Sequence, residues 1–211
     1  LNHAGYGTEE AFAGMVRTKE EDKQGDDQLG SLSGLPDFKT EEATVRNQLV
    51  AWQASWLKRS TTAKGNSIYG FRVDTVKHVD DTTWQHFKNE LVDRDSDFHL
   101  IGESWGANYK DTKGDLGIGT MDSLLDFGFK DIAKYLVNGQ LKAAGKELEE
   151  RSKVLTSAAS LGQFLGSHDE DGFLYSLGGG GIVGNMDKLK LAASLLITAT
   201  GQPVIYSGED L

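Results

Sequence analysis

Short strand-like runs alternate with amphipathic helical stretches along this chain, and run after run ends on an acidic residue or a histidine. Gly70-Phe71-Arg72-Val73 leads into Asp74, Phe98-His99-Leu100-Ile101-Gly102 into Glu103, and Gly162-Gln163-Phe164-Leu165-Gly166 into Ser167-His168-Asp169. A run at Ser123-Leu124-Leu125-Asp126-Phe127 and a last one at Pro203-Val204-Ile205-Tyr206 complete the set. Between them, Val45, Leu49, Trp52 and Trp56 recur at helical spacing after Thr40, a suitable N-cap followed by Glu41 and Glu42. Trp84, Phe87 and Leu91 mark a helix over 83–92, a further helix begins near Lys130, and an apolar one covers 188–200 before Gly201 and Pro203. Strands alternating with helices predict an α/β fold on a parallel sheet. A β/α barrel and a doubly wound sheet both place their chemistry at the C-terminal ends of the strands, so the pattern alone fits either.

Composition narrows the partners. The 211 residues carry a net charge of −10, which argues against nucleic acid and suits a neutral ligand such as a sugar. There is no cysteine, hence no disulfide framework and no thiolate zinc site. No apolar run is long enough to cross a membrane. No signal peptide is evident after Leu1, but a cleaved one leaves no trace, and an extracellular location is the expectation. No glycine-rich phosphate loop follows any strand, which counts against a nucleotide fold. Residues 17–29 are charged and without apolar periodicity, as a surface excursion would be, and Gly178 to Gly181 reads as a flexible loop.

Three carboxylates at strand ends, Asp74, Glu103 and Asp169, point to acid–base and nucleophilic work on a sugar. Retaining glycosidases need two carboxyl groups about 5–5.5 Å apart. Neighbouring strands are about 4.8 Å apart, so strand-end carboxylates can reach that separation. Helix caps or solvated charges would account for any one of them. They account poorly for three flanked by Arg72, His78 and His168.

These stretches resemble the signature regions of the α-amylase family (glycoside hydrolase family 13). Residues 70–79, GFRVDTVKHV, resemble the second region, Ile101-Gly102-Glu103 the third, and residues 164–169, FLGSHD, the fourth. Leu35-Pro36-Asp37-Phe38 resembles the motif closing the family's inserted domain B, and residues 201–209 resemble its eighth strand. Leu1-Asn2-His3 is similar to the tail of the first region. The resemblance implies a (β/α)8 TIM barrel, here partial, holding strands four to eight. Residues 1–36 would form the end of the third strand and a short domain B-like loop, and 37–211 the barrel segment.

It also implies roles. Asp74 would be the nucleophile, with Arg72 holding it ionised. Glu103 would be the general acid/base, a role that requires a carboxyl protonated near neutral pH. Asp169 would bind hydroxyls of the distorted sugar with His168. His3, Lys77, His78 and Trp105 would contact substrate. A structural Ca2+ would be held by Asn2, Asp37 and the main-chain carbonyl of His78, an oxygen set suited to that ion. The implied substrate is starch or a maltooligosaccharide, cleaved at α-1,4 bonds with retention.

The expected partner is the remainder of the enzyme chain, since five of eight strands leave two open parallel edges. Glu170-Asp171-Gly172 after Asp169, and Ser207, depart from the family pattern and leave specificity open. The other readings are transglycosylation, cleavage of pullulan or cyclodextrins, and a non-catalytic binding subunit; the three carboxylates argue against the last.

Overall fold

The computed structural model describes residues 12–116, 119–155, 161–178 and 181–207. The elements in chain order are α1 (Ala43–Arg59), β1 (Gly70–Val73), a 3-10 turn (Val76–His78), α2 (Asp81–Arg94), β2 (His99–Gly102), β3 (Ser123–Asp126), α3 (Phe129–Val137), α4 (Leu141–Val154), β4 (Leu161–Gln163), α5 (Phe173–Ser176), α6 (Gly181–Thr198) and β5 (Gln202–Pro203). The strands form one five-stranded sheet in the order β1-β2-β3-β4-β5. The pairs β2–β3, β3–β4 and β4–β5 are parallel, with Ile101 opposite Ser123, Leu124 opposite Leu161, and Gln163 opposite Pro203. Among the described residues no helix is long and apolar enough to cross a membrane. The chain divides into two compact units, Leu1–Leu100 with Gly117–Met121, and Ile101–Leu116 with Asp122–Leu211.

In the first unit, α1 corrects the sequence-based expectation twice. It begins at Ala43, behind an extended Glu42 that makes no side-chain cap, rather than at Thr40. Thr40 is buried, and its carbonyl accepts a hydrogen bond from Thr83 Oγ1 at 3.1 Å, which draws it out of a capping role. The buried face is Val45, Val50, Ala54 and Leu57, while Trp52 and Trp56 turn outward. α1 packs on α2, and a close helix pair favours small and medium side chains at the seam over two indoles. α2 begins as expected of a capped helix: Asp80 accepts from Thr83 N at 3.0 Å and from Thr83 Oγ1 at 2.7 Å. Its Phe87 stacks on Phe71 of β1, whose other neighbour is Phe98. Gly70 must be glycine here, because a Cβ would stand 2.9 Å from the His99 carbonyl oxygen.

In the second unit, the core is Phe129, Ala133 and Val137 of α3, Leu165 and Phe173, and Leu189, Ala192 and Leu196 of α6. The sequence pattern foresaw α3 and the body of α6 but not α4, whose charged stretch Lys146–Lys153 hides its apolar positions. α4 delivers Arg151, a buried guanidinium. Its Nε donates to Asp126 Oδ2 at 2.9 Å and its Nη2 to Gln163 Oε1 at 2.9 Å. Gln163 Nε2 in turn donates to the carbonyls of Leu196 and Ala199 at 3.1 Å each. This network ties β3, β4, α4 and α6 together through hydrogen bonds that have no water to compete with them. Gly201, at φ 129°, closes it: a Cβ there would overlap Gln163 Oε1.

Candidate active site

Asp74 stands one residue beyond β1, on the first unit. Arg72 Nη1 donates to Asp74 Oδ1, as the two-residue spacing on one strand face allows. Both side chains reach solvent. Thr75 follows at φ 51°, a left-handed conformation that a β-branched residue adopts only under constraint. That kink swings the chain into the 3-10 turn carrying Lys77 and His78 directly after Asp74. His78 Nδ1 donates to the main-chain carbonyl of Asp27 at 2.8 Å, and so pins the excursion to the turn. A cleft of about 420 Å³ is lined by Asp74, Thr75, His78, Asp37, Leu35 and Trp84, among others. Of the expected residues, the first unit therefore brings together Asp74 with Arg72, and Asp74, His78 and Asp37 around one cleft.

Glu103 stands one residue beyond β2, on the second unit, and is largely withdrawn from water. Its loop is held by Ser104 Oγ, which donates to Asp115 Oδ2 at 2.5 Å, both residues being buried. Trp105 is exposed on one side and packs its ring 4.9 Å from that of Phe127 on the other, an open aromatic face of the kind that stacks on sugars. His168 and Asp169 lie beyond β4 with His168 Nε2 3.0 Å from Asp169 Oδ2, both exposed. The contacts that hold their loop were not foreseen in the sequence. The buried Lys130 of α3 donates to the Asp171 carbonyl at 2.7 Å, and the Asp169 amide donates to Ser167 Oγ at 3.2 Å. A lysine in a helix reads as solvated surface, and only the fold turns this one inward.

Asn2 and His3 lie outside the described residues. Among the described residues, no group of three or more His, Asp or Glu side chains is placed to hold a metal ion. The carboxylate expected to bind calcium is engaged by a cation already: Arg17 Nε donates to Asp37 Oδ2 at 2.8 Å. Calcium takes six to eight oxygen ligands, carboxylates prominent among them. A divalent ion seated on Asp37 would stand beside the Arg17 guanidinium and meet like-charge repulsion. Asp37 as it stands does not fit the expected ion.

The family model for the α-amylase catalytic domain matches residues 10–211. The chain belongs to that family. Among curated relatives, an α-amylase of Streptomyces lividans is 31% identical, over 86% of this chain and 21% of its own length. Neopullulanase 2 of Thermoactinomyces vulgaris is 28% identical, over 85% of this chain and 29% of its own. Among solved structures, the α-amylase of Geobacillus thermoleovorans complexed with acarbose superposes with a TM-score of 0.77 at 26% identity, over 99% of this chain and 46% of that one. The chain thus spans less than a third of those two curated relatives and about half of that structure. These matches settle the choice the strand pattern left open: the parallel strands and their helices are part of the (β/α)8 barrel of the family. The strand-end positions of Asp74 and Glu103 are then those at which a barrel carries its chemistry.

Proposed function

We propose that this chain supplies the reacting carboxylates of a retaining glycoside hydrolase that cleaves α-1,4 bonds in starch-type glucans. The observation that carries the reading is the placement of Asp74 and Glu103, each one residue beyond a strand of an α-amylase catalytic domain. Asp74 attacks the anomeric carbon while Glu103 gives its proton to the departing glycosidic oxygen. The C–O bond to the leaving sugar breaks, and a β-glycosyl ester to Asp74 forms. Water then enters, Glu103 takes its proton, and attack at the same carbon releases the α-anomer and free Asp74. Arg72 orients the Asp74 carboxylate. His168 and Asp169 hold sugar hydroxyls, and Trp105 offers a stacking face. The acarbose complex of the Geobacillus thermoleovorans enzyme supports a maltooligosaccharide-like ligand.

In the full-length protein, Glu103→Gln and Asp74→Asn should each lower kcat on starch at least ~100-fold, and NMR of the first product should show the α-anomer. Hydrolysis surviving Glu103→Gln to within about tenfold, or β-anomer first, would remove the assignment. A second reading, action on pullulan or cyclodextrins, is favoured by the neopullulanase and cyclomaltodextrinase among the relatives. Product analysis on starch, pullulan and cyclodextrin separates the two.

A further inference from the structure

The excursion ahead of α1 returns on itself at one place. Val16 faces Phe38 in an antiparallel bridge, flanked by Arg17 N donating to Asp37 O and Lys39 N to Met15 O, each at 2.9 Å. Arg17 is therefore drawn alongside Asp37 by the backbone as well as by its charge. Its side chain is 6% exposed, yet it reaches two carboxylates: Nε to Asp37 Oδ2 at 2.8 Å and Nη2 to Glu41 Oε2 at 2.6 Å. Asp37 ends the excursion, and Glu41 sits two residues ahead of α1. A half-buried cation that pairs with both and ties the excursion to the helix entry can perform the cross-linking that a structural divalent ion would perform through the same carboxylate. A guanidinium is suited to it, because it stays charged when buried and presents its donors in a planar fork.

We infer that Arg17 is the built-in cation of this loop, taking the place of a calcium ion at Asp37. The inference concerns the fold of the excursion and stands whether or not the proposed hydrolysis is correct.

The test is thermal melting of the full-length protein in EDTA and in millimolar Ca2+, for the wild type, Asp37→Asn and Arg17→Met. The wild-type melting temperature should not respond to calcium, or should respond equally in Asp37→Asn, which places the responding site elsewhere. Arg17→Met should melt roughly 5 °C or more lower in EDTA, since it strands Asp37 half-buried. A calcium response that Asp37→Asn abolishes would overturn the inference, as would an unchanged melt for Arg17→Met. Should the variants not fold, Tb3+ luminescence sensitised by Trp84, which lines the same cleft as Asp37, reads the wild type directly. No calcium-competed signal is expected, and one that Trp84→Phe removes sinks the idea.

Discussion

Arg151 shows how a single residue in a helix that reads as surface can hold a unit together. Its guanidinium lies over the Phe129 ring and bonds Asp126 and Gln163 away from water. Burial pushes the Asp126 carboxyl above its ordinary range despite that pairing. A buried pair of this kind adds little net stability over an apolar replacement, because desolvating both charges offsets their attraction. Breaking it on one side is another matter. Arg151→Met should cost about 3–5 kcal/mol, because Asp126 is left as an uncompensated charge in the core, and denaturant unfolding measures it. Adding Asp126→Asn should recover part of the loss; no recovery would show that packing, not charge, was what Arg151 contributed. None of this was legible in the sequence, where Arg151 is one charge among many in α4. The strand-end positions of Asp74 and Glu103 were legible, because each follows a short strand-like run that the structure shows as a strand.

At the scale of the element, α2 was found by the spacing of Trp84, Phe87 and Leu91 but begins at Asp81, two residues before the expected start, whereas α1 was given the wrong cap. α2 has Asp80, whose side chain satisfies an amide of the first turn, so the local sequence contains its own start signal. Burial works to raise the Asp80 pKa, but the hydrogen bonds from Thr83 outweigh it and hold the group below its ordinary value of 3.8. A depressed carboxylate contributes stability above the unfolded value, and that contribution fades as pH falls through the folded one. Asp80→Ala should thus cost about 1 kcal/mol at neutral pH, with the gap to wild type closing as the pH drops below 3.8. Melts across roughly pH 2–7 decide it, and a gap independent of pH would assign the effect to packing. α1 has no such signal. Thr40 looked like its cap, but a long-range bond from Thr83 takes the Thr40 carbonyl, and Arg17 claims Glu41. Both competitors lie far from α1 in sequence, so no local pattern could announce them.

At the scale of the whole molecule, β1 and β5 stand at the two ends of the strand order. In a barrel such strands are closed by partners, and a parallel sheet left with bare edges exposes unpaired backbone groups.

What the residues determined unaided was the class of fold and the places along the chain where strand-end carboxylates stand. Strand-end carboxylates, alternating elements and short motifs are local, and local patterns survive in one dimension. What only the tertiary structure decided was which charges go inside. Arg17, Lys130 and Arg151 are all basic residues that a linear reading places in solvent; Lys130 and Arg151 are buried and Arg17 half-buried, each against oxygens supplied from distant segments. Burying a charge is favourable only when its partners are already arranged around it. That arrangement exists only once the chain has folded.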